Sequence, residues 1–441
     1  MATSFRPYHP DQPFLFPPSP QDWLPEGHLT YFISEIVDQL DLRGFYRPYE
    51  GDGRRNQPYD PRMMVKVLIY GYATGTFSSR KLARKLHEDV GFRVLAANNF
   101  PEHRTLCEFR KKHLAEFQSL FEEVVRLAQA AGLVKLGRVA IDGTKVKADA
   151  SRHKAMSYGH MKNEDERLSA EIRELTERAA RIDEHEDGLY GPDHPGDELP
   201  QELHRREDRL RKIQEAKKLL EERQVKEDRA AGREEGDHEK SKRGRPFKRH
   251  FGVPPEKKQG NFTDPESRIM KTPGGGFDQC YNPQVAADSE SQLVIATHVS
   301  QSAADSQQLI PLVDEVKRVV GEPAGEVLAD SGYRSEENFA ALESRGIKGY
   351  ISLGREGKKL KNAPSSDHPA SQKMLARLES ESGKSIYRLR KAIVEPVMGW
   401  VKEGLGFRQF SVRGHANVSG EWDLVCLALN LKRLNGRLQL A

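Results

Sequence analysis

The sequence predicts an α/β protein: an all-helical N-terminal domain, then a domain built on a mixed β-sheet, with a helical hairpin inserted into that second domain. Apolar residues recur at helical spacing through residues 1–136. Two β-type segments, residues 137–146 and 325–333, each contain an apolar run that ends in an aspartate with a glycine close behind. The long stretch between them contains a helical pattern. A chain of 441 residues also exceeds what one compact core usually holds.

Residues 1–136 carry the start and stop signals of short helices. Asp60 followed by Pro61 is an N-cap and first-turn pair, and Ser78 or Ser79 is placed to cap the next helix. Thr105 is expected to cap a long helix that ends near residue 131. Basic residues on outward positions include Arg80, Lys81 and Arg110. This pattern suits a helix-turn-helix-like DNA-binding domain, and an ordinary helical bundle with solvated Lys and Arg fits it equally well.

The second domain, residues 137–441, is expected to alternate strands and helices. Residues 281–288 and 293–300 are β-type runs separated by a polar turn, which predicts a hairpin. Residues 305–320 show helical periodicity, Ser335 is placed to cap a further helix, and residues 349–353 predict a short strand. Strands followed by alternating helices and strands indicate a mixed sheet flanked by helices.

Residues 151–262 form an insertion within that domain. Residues 161–238 hold 16 Lys and Arg against 24 Asp and Glu, with apolar residues at helical steps on two arms. We therefore predict a helical hairpin over residues 161–232 with a solvated surface. Residues 233–262 are predicted to be a mobile, basic linker. Its Arg243-Gly-Arg245-Pro246 has the form of a minor-groove AT-hook core, although general attraction to phosphate explains these arginines as well.

Asp142 and Asp330 are candidate metal ligands. Each closes a β-type run, and a nearby glycine is expected to let the backbone turn away and expose the carboxylate. Breaking a phosphodiester needs an activated oxygen and relief of charge on the leaving oxygen, which two divalent ions about 4 Å apart provide. Mg²⁺ prefers oxygen ligands of this kind. A strand-end Asp-Gly turn is the alternative for either aspartate alone.

A third acid is expected on a helix over residues 385–402. Glu395 lies there in an apolar frame. At 100° per residue it shares a face with Tyr387, Lys391 and Lys402, and Arg390 lies close to that face. A carboxylate among these cations fits a metal and phosphate site, and a salt-bridged surface glutamate is the alternative.

Taken in order, these segments resemble the DDE transposases of bacterial insertion sequences. The resemblance is carried by the blocks Val139-Ala-Ile-Asp142-Gly-Thr-Lys, Asp264-Pro-Glu-Ser-Arg268-Ile-Met270, Tyr281-Asn-Pro-Gln, Leu328-Ala-Asp330-Ser-Gly-Tyr333, Ile393-Val-Glu395-Pro-Val, Gly406-Phe-Arg408 and Leu427-Ala-Leu-Asn430-Leu. Pro61-Arg-Met, Ser79-Arg80-Lys81 and residues 105–110 resemble the N-terminal domain of the same transposases. The resemblance implies an RNase H-like fold for the second domain. It also implies that Asp142, Asp330 and Glu395 are the catalytic triad.

The resemblance further implies two Mg²⁺ or Mn²⁺ ions, and double-stranded DNA partners: the terminal inverted repeats of the element and the target. A homodimer or larger synaptic complex is implied as well. The signature helix of this group has Tyr, two residues, Arg, three residues, Glu, six residues and Lys. The interval from Glu395 to Lys402 matches, but Lys391 stands at the Arg position with Arg390 one residue earlier, and Tyr387 is displaced by one. Lys replaces Arg as a point charge but not as a bidentate phosphate clamp.

The predicted function is metal-dependent cleavage and transfer of DNA strands, with residues 1–136 and the basic linker recognising the element ends. Arg268 is a further candidate phosphate contact, and an ion pair with Asp264 is equally open. A structure-specific nuclease of the same fold and a non-catalytic DNA-binding regulator are the alternatives. None of the 15 histidines begins His-x-x-Arg, which disfavours a tyrosine recombinase, and no His-Glu-x-x-His indicates a metalloprotease.

The composition predicts a cytoplasmic protein with no membrane partner, and the resemblance implies a location at the bacterial nucleoid. No apolar run approaches the roughly 20 residues that span a bilayer, and the first residues lack a secretory pattern. The three cysteines, Cys107, Cys280 and Cys426, are far apart and have no zinc-site spacing. Reduced, buried thiols are therefore expected.

Overall fold

The computed structural model describes residues 20–50, 57–190, 201–235, 249–272, 274–354 and 364–439. Arg243 and Arg245 lie outside these residues. Across the described ranges, no helix combines the length and the apolar character that crossing a bilayer requires.

The described N-terminal region is helical, as predicted. Its helices are α1 (Leu29–Gln39), α2 (Arg43–Tyr46), α3 (Pro61–Ala73), α4 (Ser79–Glu88), α5 (Val90–Leu95), α6 (His103–Lys112) and α7 (Leu114–Ala130). Asp60 caps α3 by accepting a hydrogen bond from the Arg62 amide at 2.7 Å. The predicted cap at Thr105 is wrong, because α6 begins earlier and contains this residue. The chain leaves helical geometry at His113, whose ring packs against Phe109, and α7 begins afterwards.

The second domain is built on a seven-stranded mixed sheet. The strands in chain order are β1 (Arg138–Gly143), β2 (Val146–Lys147), β3 (Ala155–Ser157), β4 (Gln259–Asn261), β5 (Arg268–Lys271), β6 (Phe277–Asp288), β7 (Val294–Ser300), β8 (Glu326–Ala329) and β9 (Lys348–Ile351). The long strand β6 pairs antiparallel with β1, β2, β5 and β7. Strand β8 runs parallel between β1 and β9, and β3 pairs with β4 in a separate two-stranded sheet. The predicted hairpin of β6 and β7 is confirmed.

The inserted helical hairpin consists of α8 (Tyr158–Tyr190) and α9 (Gln201–Ala230) and lies between β3 and β4 in the chain. It has a small apolar core of its own, formed by Tyr158, Met161, Leu168, Ile213, Ala216 and Leu220. Asp165 of α8 accepts hydrogen bonds from Gln214 and Lys217 of α9, both at 2.9 Å. The two arms are therefore held together by apolar burial and by polar contacts.

The predicted mobile linker over residues 233–262 is wrong for its second half. Residues 259–261 form β4, and Arg249 pairs with the buried Asp228 of α9 at 2.9 Å. Asp228 also pairs with Arg233 at 3.2 Å. Basic residues that were expected to stay in solvent thus neutralise a buried carboxylate, which fixes this part of the chain to the hairpin.

The remaining helices are α10 (Leu309–Val320), α11 (Glu336–Ser344), α12 (Pro369–Glu379), α13 (Glu381–Gly399) and α14 (His415–Leu438). Ser335 caps α11, as predicted, by accepting a hydrogen bond from the Asn338 amide at 3.0 Å. Helix α14 is buried along most of its length and contacts α3, α7 and β7. A single hydrophobic cluster therefore runs from the N-terminal helices through α14 into the sheet.

A buried carboxylate joins the N-terminal helices to α14. Glu421 is fully buried and accepts hydrogen bonds from the Tyr72 hydroxyl at 2.6 Å and the Ser411 amide at 2.8 Å. Arg110 lies 4.0 Å from this carboxylate and donates to the Tyr72 hydroxyl and the Phe77 carbonyl. A desolvated charge is tolerated only when partners of this kind surround it.

Replacing Glu421 with Ala is expected to lower the free energy of unfolding by about 3–5 kcal/mol, because the buried Arg110 loses its counter-charge. Tyr72→Phe, which removes one hydroxyl, is expected to cost about 1 kcal/mol. Urea denaturation measures both, with the exposed Glu337→Ala as the control. A midpoint for Glu421→Ala equal to that of the wild type would contradict this account of the contact.

Candidate functional site

Two of the predicted acids, Asp142 and Asp330, lie at the carboxyl ends of the neighbouring strands β1 and β8. Ala140 of β1 stands opposite Leu328 of β8 in the parallel register. Asp142 and Asp330 each follow two residues later, so the same register places them side by side. Both aspartates are partly buried.

The glycines that follow these aspartates serve a different purpose from the predicted one. Neither Gly143 nor Gly332 adopts a positive φ. Each instead donates its amide to an aspartate oxygen at 2.8 Å, Gly143 to Asp142 and Gly332 to Asp330. A Cβ at Gly143 would lie 2.1 Å from Nε2 of Gln284. A side chain at this position would therefore displace the amide of Gln284.

The two aspartates repel each other. The pKa of Asp142 is raised to about 6, first by burial and then by the charge of Asp330, with a smaller contribution from Asp305. The Gly143 amide and the Arg390 guanidinium act in the opposite direction. A divalent cation placed between two such carboxylates would remove the repulsion. Paired aspartate oxygens are also the ligands that Mg²⁺ and Mn²⁺ prefer.

Glu395 does not join the two aspartates. It lies on α13, which contacts β1 and β8, but its side chain is exposed. Among the residues that the structure describes, no three His, Cys, Asp or Glu side chains lie close enough together to hold a metal ion. The pair of aspartates thus fits a cation, and a third ligand is not in place beside it.

The helix that carries Glu395 is irregular. Pro396 has no amide to donate to the Ala392 carbonyl, and the side-chain amide of Gln292 donates to it instead at 2.8 Å. Beyond α13 the chain continues as a π-helical turn over Trp400–Gly404. The predicted shared face at 100° per residue therefore does not extend to Lys402, because the π-turn shifts the phase of the helix before it; Tyr387, Lys391 and Glu395 all lie within α13.

Two of the predicted cations on this segment act on Asp142. Burial lowers the pKa of Lys402, and the charge of Asp142 opposes that shift. Arg390 is buried, lies 5.9 Å from the ring of Tyr387 and lowers the pKa of Asp142. Lys391 is exposed. Of the two basic residues at the displaced signature position, Arg390 is therefore the one enclosed at the site.

Sequence reasoning missed an acid at this site, Asp305, which lies between β7 and α10. Its Oδ1 accepts hydrogen bonds from Asn282 at 2.6 Å, Gln284 at 3.0 Å and Lys145 at 3.2 Å. Asn282 and Gln284 are fully buried on β6. Two amides two residues apart point to one face of a strand, and their presence in a buried strand was the signal that a polar partner lies nearby.

Gln284 also reaches the turn that follows Asp330. Its side-chain oxygen accepts a hydrogen bond from the Tyr333 hydroxyl. Burial raises the pKa of Tyr333 well above its usual range, and the charges of Asp142, Asp305 and Asp330 add to this effect. The buried side-chain amide of Gln284 thus connects the loop of Asp305 to the turn that follows Asp330, and it also lies against Gly143.

The residues of the N-terminal domain that were predicted to contact DNA differ from one another in their exposure to solvent. Arg80 and Lys81 are exposed on α4. The prediction that Arg110 contacts DNA is wrong, because this residue is buried and bonded to Tyr72. Its helical spacing resembled that of an outward basic residue, but its partners come from α3 and α14.

Arg268 donates hydrogen bonds to the backbone of the protein itself, in the turn before β5. It donates hydrogen bonds to the carbonyls of Pro265, Glu266 and Ser267, and burial lowers its pKa to about 10. Asp264, the alternative partner, accepts hydrogen bonds from the Tyr281 hydroxyl at 2.9 and 3.0 Å. Arg268 therefore holds the turn before β5 together.

A basic cleft lies where the helical hairpin meets β3 and β4. It has a volume of about 460 Å³ and is lined by His153, Lys154, Met156, Arg205, Asp208, Arg209, Lys212, Ile213 and Phe262. Arg205 and Lys212 are exposed, whereas Arg211 and Lys217 on the same helix form ion pairs with Asp208 and Asp165. The lining comes from three distant segments of the chain, so the sequence alone did not indicate it.

Replacing Asp142 with Asn is expected to stabilise the metal-free protein at neutral pH. The pKa of about 6 in the folded state lies above the ordinary value of 3.8, so ionised Asp142 destabilises the fold fully above pH 6 and less as the pH falls towards 3.8. We expect a gain in unfolding free energy of about 1–3 kcal/mol at pH 7.5 and a smaller one at pH 5. Urea denaturation in EDTA measures this, with the exposed Asp314→Asn as the control. An equal gain at both pH values would contradict the raised pKa.

Comparison with known families gives two matches. The family described as Transposase DDE domain matches residues 223–431, which include Asp330 and Glu395 and begin after Asp142. The family described as Transposase domain (DUF772) matches residues 18–112. No curated protein and no solved structure matches the chain. The DDE domain is RNase H-like, in agreement with the mixed sheet described above. Because the two matches together cover more than half of the sequence, the chain belongs to the DDE transposases of insertion sequences and carries their N-terminal transposase domain.

Proposed function

We propose that this transposase cleaves DNA at the ends of an insertion sequence and joins the freed strands to target DNA, with Asp142, Asp330 and Glu395 as its metal-binding carboxylates. The observation that carries the proposal is the placement of Asp142 beside Asp330, where burial and repulsion raise the pKa of Asp142. Charges held close at a cost in stability are typical of functional sites. Glu395 lies on a helix that contacts the same two strands, and we propose that its side chain turns inward in the metal-bound complex.

The proposed reaction has two steps. In cleavage, a water oxygen attacks the phosphorus, the bond to the 3′ oxygen breaks, and that oxygen leaves as a hydroxyl. In strand transfer, the freed 3′-hydroxyl attacks a target phosphorus in line, loses its proton and displaces the 3′ oxygen of the target strand. No covalent bond to the protein forms. Two Mg²⁺ or Mn²⁺ ions at the carboxylates would activate the attacking oxygen and stabilise the leaving one.

The cations beside the aspartates have a proposed role on the DNA. Arg390 is buried next to Asp142, and Lys402 is partly buried beside the same residue. Their charges would hold the oxygens of the phosphate under attack, which carries more negative charge in the transition state than before. Lys391 and Tyr387 lie on α13 with Arg390, and we propose that they contact the DNA backbone.

A labelled duplex with the element's own end, incubated with Mg²⁺ or Mn²⁺, tests this function. Wild-type protein is expected to nick the end and then to join it to a second duplex. Asp330→Ala and Glu395→Gln are expected to reduce both steps at least about 100-fold, because each removes a ligand from a site that stabilises charge. Glu403→Gln, which changes an exposed acid that pairs with Arg408 at 2.7 Å, is the matched control.

The other outcomes of this experiment are equally informative. Cleavage without joining would identify a nuclease and exclude strand transfer. Binding of the duplex with neither step, in the wild type as in the variants, would contradict the catalytic assignment and leave a DNA-binding regulator. Full activity of Glu395→Gln would remove this residue from the proposed triad.

The DNA partner of a transposase requires basic surfaces outside the catalytic site. We propose two: α4 with Arg80 and Lys81, and the basic cleft at the hairpin. Arg205 and Lys212 of the cleft are exposed beside Phe262, so they are available to neutralise phosphates. Because two element ends must be held together, we also propose that the protein acts on the nucleoid as a homodimer or larger complex.

The double variant Arg205→Ala/Lys212→Ala is expected to weaken DNA binding and to reduce the slope of log K against log salt by about 2, since each phosphate contact contributes about 0.9. Fluorescence anisotropy between 50 and 200 mM salt measures the slope. The matched control is Arg211→Ala/Lys217→Ala on the same helix, where both cations are already paired. Equal slopes for the two double variants would exclude the cleft from the DNA path.

A further inference from the structure

The two aspartates of the candidate site form no ion pair within the described residues, although cations surround them. Arg390 and Lys402 both act electrostatically on Asp142. Lys145, three residues after Asp142, lowers the pKa of Lys402 and is therefore close as well. Lys145 forms an ion pair with Asp305 at 3.2 Å.

Asp305 is held firmly in position. Its Oδ1 accepts hydrogen bonds from the buried amides of Asn282 and Gln284 in addition to Lys145. A Cβ placed on Gly332 would lie 3.4 Å from Asp305 Oδ2 and 2.9 Å from Asp330 Oδ1. Asp305 thus lies next to the turn of Asp330. Its position is set by two uncharged hydrogen-bond donors of β6, the side-chain amides of Asn282 and Gln284.

The location of Lys145 matters because an ammonium group competes with a metal ion for the same carboxylates. A lysine so close to Asp142 in sequence, in a site that is partly desolvated, is drawn to any uncompensated negative charge nearby. Asp142 and Asp330 carry such charge. Asp305 offers Lys145 a fixed anion outside this pair, and the structure shows Lys145 bonded to it.

We infer that Asp305 is a positioning residue: it holds Lys145 away from Asp142 and Asp330, so that this pair stays open to a divalent cation. The inference rests on the proposed function, which makes the pair a metal site. It predicts that the charge of Asp305 matters for cation binding only while Lys145 is present.

A double-mutant cycle on the full-length chain tests this, with Mn²⁺ affinity measured by electron paramagnetic resonance in the absence of DNA. Asp305→Asn keeps an oxygen for the two amides of β6 and removes the charge. It is expected to weaken Mn²⁺ binding about tenfold or more in the Lys145 background, and less than about threefold in the Lys145→Gln background, because interacting residues give non-additive effects. Asp314→Asn, which also removes one negative charge, is expected to change nothing.

The cycle separates the possible failures. If Asp305→Asn weakens binding by the same factor in both backgrounds, Asp305 acts only through its general field and the inference is overturned. If the wild type binds no Mn²⁺, or binds it equally well after Asp142→Asn, the proposed metal site itself fails. Thermal melts of each variant confirm folding, and the Lys145→Gln pair still decides the question if Asp305→Asn alone is unstable.

Discussion

The parallel pairing of β1 with β8 is the constraint on which the candidate site depends. It places Asp142 beside Asp330 at the sheet edge, and the repulsion that results is expressed in the raised pKa of Asp142. Backbone pairing with β6 fixes Asp142 within β1, and Asp330 directly follows β8, where the Gly332 amide donates to its carboxylate. A fold that can carry this cost needs a large buried core, and the continuous cluster from the N-terminal helices to the sheet provides one.

Strand β6 supplies most of the surroundings of the aspartates. It pairs antiparallel with β1, and its Gln284 lies so close to Gly143 that a side chain there would displace the Gln284 amide. The same amide bonds to Asp305 and to Tyr333. A polar residue in a buried strand is costly unless its groups are satisfied, and the side chain of Gln284 makes its two hydrogen bonds only when the loop of Asp305 and the turn of Tyr333 are in their observed positions. This residue therefore makes the geometry of the site depend on the correct assembly of the sheet.

The sequence predicted those parts of the site whose signals are local. Asp142 and Asp330 each follow an apolar run and precede a glycine, so both were found. Glu395 was placed on the correct helix, but its exposure depends on how α13 packs against β1 and β8, which spacing along one helix does not reveal. Asp305 was missed because its partners come from a strand paired elsewhere in the sheet. Arg110 was misassigned because its burial depends on contacts with α3 and α14, which spacing along one helix cannot reveal.

The negative charges of Asp142 and Asp330 are not neutralised by an ion pair with Lys145, although this lysine lies nearby. Asp142 and Asp330 lie near Lys145, Lys402 and Arg390, yet Lys145 forms its ion pair with Asp305. Direct pairing with the two aspartates would relieve their repulsion and stabilise the fold, but it would also fill the space that a cation needs. Under the proposed function, holding a lysine on a third acid would keep its charge within the site and away from the proposed metal ligands. The unrelieved repulsion between the aspartates is then free energy that the proposed binding of a cation would recover.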